Sequence, residues 1–203
     1  LGLTIYFCRW YIMDKAPFEK ASGFLKKVVK GDISDKRSTS PAPDYFYGDI
    51  DMRIARDGTW YYKGSPIKRQ KLVKLFASIL MRDDMGNFWL TTKVEKCRIS
   101  VDDAPLLAVE MRSKGYKDKQ QLIFRTNVDD VVIAGFENPI IVRVNPETSE
   151  PSPYISVRDG IEALITRAVF YDLVELGVEK NQEKTSVLGV WSGGIFFKLG
   201  DLG

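Results

Sequence analysis

The chain has 203 residues, of which 44% are hydrophobic, 28% charged and 12% aromatic. This is the composition of an ordinary globular protein rather than of a disordered, fibrous or membrane chain. The formal net charge of +3 is uneven: residues 1–40 carry eight basic and four acidic side chains, and the remainder carries 22 basic and 23 acidic. Because the remainder is close to neutral, it offers little of the counterion release that drives nucleic-acid binding.

The histidine and cysteine content excludes several chemistries. The chain has no histidine, so a Ser-His-Asp triad, a Cys-His dyad, an H-E-x-x-H zinc site and a histidine-rich metal centre are excluded. Its two cysteines, Cys8 and Cys97, lack metal-ligand spacing and are too few for a disulfide framework. We therefore predict a cytoplasmic protein without a cofactor, and the lack of a recognisable catalytic motif favours a non-enzymatic protein.

Residues 1–44 are predicted to form a helix and a linker. The first twelve residues are apolar, but they are too few for a membrane-spanning helix and include Arg9, and we interpret them as an over-called start ahead of Met13. From Pro17 to Lys30, apolar residues recur at helical spacing with lysines on the opposite side, which predicts an amphipathic helix. The polar, proline-containing stretch that follows is typical of a linker.

Two segments predict the same order of elements: a strand, an Arg-Asp-Gly turn, a second strand, a helix and closing strands. The turns are Arg56–Gly58 and Arg158–Gly160. The first helix is predicted to begin at Ser65-Pro66, and the second to follow the N-cap Thr166. We interpret the two segments as an internal duplication of a strand–strand–helix–strand unit.

Between the two units, β-rich runs separated by turn residues predict a bent antiparallel sheet. The runs are Leu106–Arg112, Gln121–Asn127, Val131–Ala134 and Ile140–Asn145. Joined to the second unit, they predict a β-rich domain that closes as a partial barrel. The predicted fold class is therefore α+β, with an N-terminal α+β subdomain over 45–100 and a β-rich C-terminal subdomain over 101–203.

The two units carry arginines at equivalent positions, before the turns and at the helix starts. They are Arg56, Arg158, Arg69 and Arg167. A guanidinium group beside helical N–H groups favours phosphate or carboxylate, so these arginines are candidate ligand-binding residues. The alternative is that each arginine pairs with a local acid, such as Asp57 or Asp159, and stabilises the turn or the contact between domains.

Three further residues are weaker candidates for ligand binding. Arg125 and Asn127 belong to a run whose polar residues alternate outward from the sheet. Trp191 is one of several strand aromatics, for which core packing is the simplest interpretation and a stacking surface is the alternative.

Asp49 and Asp51 are the candidates for a metal site. They lie two residues apart on a predicted strand, so both carboxylates share one face, but no third ligand is indicated. Solvation of a strand edge is the competing interpretation, and the main prediction is that no metal is bound.

Five sequence motifs occur in a fixed order between Tyr47 and Leu199. They are GDIDMRIARDGTWYYKGSPIKR, VDDAP, LIFRTN, RDGIEALITR and LGVWSGG. This set resembles the bacterial family known as domain of unknown function 1285. The resemblance implies a two-part structure with a duplicated core, and a C-terminal part like a pleckstrin-homology fold. It also implies a role in signalling, with the domain interface as binding site and no established activity.

The leading hypothesis is a non-enzymatic binding protein of bacterial signal transduction. It would take an anionic small molecule or an acidic protein segment at the interface of its two related domains. One alternative is a metal-assisted, carboxylate-based hydrolase, and another is a nucleic-acid-binding protein that uses the basic N-terminal segment. No membrane partner is expected.

Overall fold

The structure, a computed structural model, describes residues 46–92, 95–182 and 185–202. Within these ranges the chain is mostly β, with three sheets and two α-helices. The first sheet is built from residues 46–101, here called the N-terminal half, and the other two from residues 106–201, the C-terminal half. The amphipathic helix predicted over 17–30 lies outside the described residues. No helix in the described ranges has the length and apolar character needed to cross a membrane.

The N-terminal half is a six-stranded sheet with one helix packed on it. Its elements are β1 Phe46–Ile54, β2 Trp60–Tyr62, β3 Ser65–Pro66, α1 Gln70–Ser78, β4 Leu80–Arg82, β5 Phe88–Thr91 and β6 Glu95–Val101. In space the strands run β3-β2-β1-β6-β5-β4, and β1 pairs in parallel with β6. Helix α1 buries Leu72, Val73, Phe76 and Ala77 against the sheet, with the Phe76 ring stacked 6.0 Å from Trp60.

The predicted start of the first helix at Ser65-Pro66 is wrong. These two residues form β3, which pairs with Tyr61 and Tyr62 of β2. Lys63 and Gly64 connect the two strands, and their φ angles of 48° and 74° are both left-handed, as a tight two-residue hairpin requires. The helix begins at Gln70, because the chain must first leave the hairpin.

The C-terminal half contains a six-stranded sheet, a three-stranded sheet and one helix. Its elements are β7 Leu106–Lys114, a 3-10 turn Lys117–Lys119, β8 Gln121–Thr126, β9 Val131–Ile133, β10 Ile140–Val144, β11 Pro151–Arg158, β12 Ile161–Ile165, α2 Arg167–Glu175, β13 Val178–Gln182, β14 Thr185–Ser192 and β15 Ile195–Asp201. The sheets run β10-β11-β12-β7-β8-β9 and β13-β14-β15. As predicted, Thr166 is the N-cap residue of α2.

The order of elements is shared by the two halves, whereas their strand pairing differs. Each half contains an antiparallel hairpin (β1-β2 or β11-β12), a nine-residue helix and a three-stranded meander (β4-β5-β6 or β13-β14-β15). In the first half β1 pairs directly with β6. In the second, β11 pairs with β10, and the meander forms a sheet of its own.

Buried side chains of both halves belong to one apolar core. Ile54 and Phe76 of the N-terminal half and Leu106 and Phe124 of the C-terminal half are all part of it. Because protein interiors are close-packed, this shared core holds the loops at the boundary between the halves in fixed positions.

Candidate functional site

The first Arg-Asp-Gly turn lies at the boundary and packs on the C-terminal half. The Asp57 carboxylate accepts a hydrogen bond of 2.9 Å from the Thr59 N–H, which holds the pKa of Asp57 below its usual value. Gly58 has a φ of 78°, and a Cβ at this position would lie 2.9 Å from Leu107 Cδ1 in β7. Both the backbone conformation and the close approach therefore require glycine.

The second Arg-Asp-Gly turn makes the reciprocal contact. Gly160 has a φ of 66°, and a Cβ there would lie 3.0 Å from the Cβ of Arg82, which belongs to β4 of the N-terminal half. Each turn thus places its glycine against the other half of the molecule.

Arg158 uses its guanidinium group to hold the halves together. One nitrogen donates a hydrogen bond to the Asp130 carboxylate at 3.1 Å, and another donates to the Ala77 carbonyl at 2.5 Å. Ala77 lies in the last turn of α1, where unpaired carbonyl groups attract cations. With its side chain 35% exposed, Arg158 acts as a cap for a helix in the opposite half.

Arg56 also crosses the boundary, but its side chain remains 65% exposed. Its Nε lies 3.1 Å from the Asp103 carboxylate, and its Nη2 donates to the Ser152 hydroxyl at 3.2 Å. Asp103 lies in the short segment between β6 and β7 that links the halves. The Tyr154 hydroxyl donates to the same carboxylate at 2.8 Å, and burial together with this bond raises the pKa of Tyr154.

A second arginine, in the neighbouring strand β10, lies beside the same part of β11. Arg143 lies opposite Ser152 in the antiparallel register of β10 and β11. Its guanidinium lies 4.4 Å from the centre of the Tyr154 ring. Two nitrogens of Arg143 donate to Glu162 at 2.9 and 2.6 Å, which raises the pKa of Arg143. We call Arg56, Arg143, Ser152 and Tyr154 the arginine-pair site.

Sequence reasoning singled out only Arg56 of these four residues. Arg143 could have been noted as an outward-facing charge in the apolar run of β10, but Ser152 and Tyr154 are recognisable only once β11 is paired.

Arg125 and Asn127 lie where α1 contacts the C-terminal half. The Asn127 side chain accepts a hydrogen bond of 3.1 Å from the Leu107 N–H, and the Asn127 carbonyl accepts one of 2.8 Å from the Gln70 side chain. Arg125 pairs with Glu110 at 2.7 Å and with Asp129 at 3.1 Å.

Asp129 also pairs with Lys74 of α1. Lys74 first, and Arg125 second, keep the pKa of Asp129 below its usual value. Like the Asn127 carbonyl, the Asp129 carboxylate contacts α1 across the boundary, and Arg125 pairs with this carboxylate from within the C-terminal half.

The remaining candidates lie in other parts of the molecule. Arg69 is the exposed N-cap residue of α1. Arg167 donates a hydrogen bond of 2.7 Å to the Tyr171 hydroxyl within α2, which raises the pKa of Arg167. Trp191 packs edge-on against Phe196 at 5.3 Å.

The two aspartates proposed for a metal site lie on the exposed face of β1. Both oxygens of Asp49 accept hydrogen bonds from the Arg98 guanidinium, at 2.8 and 2.7 Å. Across the described part of the chain, no group of three or more cysteine, aspartate or glutamate residues gathers around a point where a metal could bind. Asp49 thus has a cation partner from its own sheet. The basic segment proposed to bind nucleic acid lies outside the described residues.

Comparisons with known proteins assign the chain to a family. A model described as "Domain of unknown function (DUF1285), N-terminal domain" matches residues 41–104, and one described as "Protein of unknown function (DUF1285), C-terminal domain" matches residues 105–199. The chain belongs to the DUF1285 family. The resemblance inferred from the motifs is thereby confirmed.

Solved structures of DUF1285 proteins also match. A family protein from Silicibacter pomeroyi DSS-3 is 47% identical, with a TM-score of 0.72, over 83% of this chain and 91% of that chain. A family protein from Shewanella baltica OS155 is 28% identical, with a TM-score of 0.49, over 62% of this chain and 91% of that chain. No curated protein shows significant similarity to the chain.

Proposed function

We propose that this DUF1285 protein is a non-enzymatic binding protein of bacterial signal transduction that takes an anionic ligand at the arginine-pair site. The observation that carries the proposal is that two arginines meet at Ser152: Arg56 donates a hydrogen bond to its hydroxyl, and Arg143 is its partner in the neighbouring strand and lies over the Tyr154 ring. Two partly exposed guanidinium groups beside the Ser152 hydroxyl suit the oxygens of a phosphate or carboxylate.

Part of the donor capacity at this surface is unused. Arg56 bonds through Nε and Nη2, and its Nη1 makes no hydrogen bond to any residue in the described ranges. Arg143 pairs with Glu162 but leaves its side chain about half exposed. An incoming anion can therefore bind the outer edges of both groups without first breaking the ion pairs, since a guanidinium carries five donors.

The position of Asp103 suggests how binding is communicated. This carboxylate contacts Arg56 and Tyr154 and belongs to the segment between β6 and β7. A ligand bound to the outer edge of Arg56 shares this guanidinium with Asp103, and so changes the strength of the contact at the point where the halves are joined. A change of this kind shifts the population of domain arrangements by the ligand's differential affinity for them.

We also propose that the two halves arose by duplication, that the C-terminal half is pleckstrin-homology-like, and that the protein acts in the cytoplasm. The shared hairpin–helix–meander order and the repeated Arg-Asp-Gly turns support the duplication. The low cysteine content, two residues in 203, supports a reducing compartment.

The test is a thermal-shift titration with pyrophosphate, citrate and ATP at constant ionic strength. A ligand that binds only the native state at 100 times its Kd adds about 2.7 kcal/mol to the free energy of unfolding. We expect at least one of these anions to raise the melting temperature of the wild type. The variants Arg56→Gln and Arg143→Gln should lose that increase.

The matched control is Arg112→Gln, which removes another exposed arginine that pairs with a glutamate, Glu110. This variant should keep the full increase. The proposal fails if none of the three anions stabilises the wild type, or if Arg56→Gln and Arg143→Gln respond as Arg112→Gln does.

A further inference from the structure

A second surface, built by three loops of the C-terminal half, exposes large aromatic side chains. The loops are Lys114–Gln120, Ala134–Asn138 and Ser192–Gly194, and we call them the three-loop surface. Tyr116 is 75% exposed and Phe136 is 90% exposed. Aromatic groups this exposed on a folded protein are typical of interaction sites when they recur on neighbouring loops.

Buried polar side chains fix these loops to one another. Ser192 is fully buried; its hydroxyl donates to the Ala134 carbonyl at 2.7 Å and accepts from the Leu122 N–H at 2.9 Å. Gln120 is buried too, and its side chain donates to the Trp191 carbonyl at 2.8 Å. The Gly193 N–H donates to the Gln120 carbonyl at 2.9 Å. The third loop therefore ties the first and second together.

The loop that carries Phe136 is also anchored at its far end. The Asn138 side chain donates to the carbonyls of Ser156 and Val157 at 2.9 and 3.1 Å, and the Gly135 N–H donates to the Asn138 carbonyl at 3.1 Å. Phe136 is thus an exposed side chain on a fixed backbone. Such a residue loses little conformational entropy when a partner covers it.

The first loop has an unusual backbone. Lys117 has a φ of 56°, in the left-handed region that few residues other than glycine adopt. Gly115 has a φ of 93°, and a Cβ there would lie 2.9 Å from the Lys119 carbonyl oxygen. Strained backbone of this kind is concentrated at functional sites, and Lys117 and Lys119 of this loop are both exposed.

The first loop also carries lysines that lack acidic partners in the described ranges, as Lys68 and Lys71 of the N-terminal half do. Lys114, Lys117 and Lys119 are exposed, and none of them forms an ion pair with a residue in the described ranges. By contrast, Arg56, Arg125, Arg143 and Arg158 are all paired with acids. The acids Asp118 and Glu137 offset two of these three lysines, so the three-loop surface carries a net charge of +1.

We propose that the three-loop surface docks an acidic segment of a partner protein that carries an aromatic or large aliphatic side chain. Phe136 and Tyr116 supply the apolar anchors on which interface affinity usually concentrates. The three lysines select acidic residues on either side of the anchor and speed the encounter. The surface shares no residue with the arginine-pair site, so either site can be disabled alone.

The test is selection of random 12-residue peptides displayed on phage against the immobilised protein. Counter-selection uses the double variant Lys117→Glu/Lys119→Glu. Enriched peptides are synthesised with a fluorophore, and their Kd is measured by anisotropy for the wild type, Phe136→Ala, and two controls. One control is Met85→Ala, which removes another highly exposed apolar side chain; the other is Lys68→Glu/Lys71→Glu, which reverses two exposed lysines of the N-terminal half.

Peptides rich in aspartate and glutamate around an aromatic residue or leucine are the expected result. Phe136→Ala should weaken their binding at least tenfold, and the controls should change it less than twofold. The proposal is overturned if enriched peptides lack acidic residues, or if they bind Phe136→Ala as tightly as the wild type. It is also overturned if sedimentation shows a wild-type dimer that Phe136→Ala dissociates, because a second copy would then occupy the surface.

Discussion

The two Arg-Asp-Gly turns have the same sequence and both hold their glycine in the left-handed region, but their arginines are used differently. Gly58 and Gly160 are both left-handed, and each packs against the opposite half. Arg158, 35% exposed, donates to a helix carbonyl, whereas Arg56, 65% exposed, lies over a surface serine. The comparison teaches that the tripeptide determines the turn, and that its neighbours determine whether the arginine is structural or available to a ligand.

The largest expected effect comes from filling the space beside the turn glycines. Gly58→Ala and Gly160→Ala should each lower the free energy of unfolding by about 3 kcal/mol, because left-handed strain adds to a clash with the other half. Gly64→Ala is the matched control, since Gly64 has a φ of 74° but nothing within 4 Å of its Cβ position. It should cost about 1 kcal/mol. Urea denaturation measures all three, and equal losses would show that the contacts between halves are unimportant.

A smaller effect separates the two arginines themselves. Arg158→Ala should lower the free energy of unfolding by about 2 kcal/mol, since it removes charged hydrogen bonds to a helix end and to Asp130. Arg56→Ala should change it by only about 0.5 kcal/mol, as is usual for an exposed ion pair. Urea denaturation measures both changes. A larger loss of stability in Arg56→Ala than in Arg158→Ala would show that Arg56, and not Arg158, is the structural arginine.

Acid should weaken the contact between Asp129 and helix α1 at the boundary between the halves. Pairing with Lys74 and Arg125 lowers the pKa of Asp129 below that of an unfolded aspartate, so its stabilising contribution is fully present above the unfolded pKa. The contribution is lost as the pH falls through the lowered pKa of the folded state. Between pH 6 and pH 3, the free energy of unfolding measured in urea should therefore fall more steeply with pH in the wild type than in Asp129→Asn.

Asp83 contributes to the same acid loss in both proteins. Hydrogen bonds from Trp89 and Asn87 lower its pKa to about 2. Only the difference between the wild type and Asp129→Asn in the slope of unfolding free energy against pH therefore reports on Asp129. Identical slopes in the two proteins would contradict its role at the boundary.

Local signals were sufficient to predict the turns and most strands. Asp-Gly between two apolar runs predicted both hairpins, and Thr166 predicted the start of α2. The start of α1 was missed because Lys63 adopts a left-handed conformation that lysine rarely shows, which hides a hairpin. Strand β13 was missed because its sequence, VEKNQ, is polar and is held by pairing with β14 rather than by burial of its own apolar residues.

The partners of the arginines could not be predicted from local sequence. The expected acids were Asp57 and Asp159, one residue away in each turn. The observed partners are Asp103 for Arg56 and Asp130 for Arg158. Both lie in loops that approach the turns only when the two halves are packed together, so no short-range pattern could identify them.

The most direct test of the different roles of the two arginines combines both readouts on one pair of variants. Arg56→Gln and Arg158→Gln are compared with the wild type in urea unfolding and in calorimetric titration with the anion that gave the largest thermal shift. The account predicts that Arg56→Gln keeps the stability and loses the binding, and that Arg158→Gln loses stability and keeps the binding. Loss of binding in both variants to the same extent, or in neither, would contradict it.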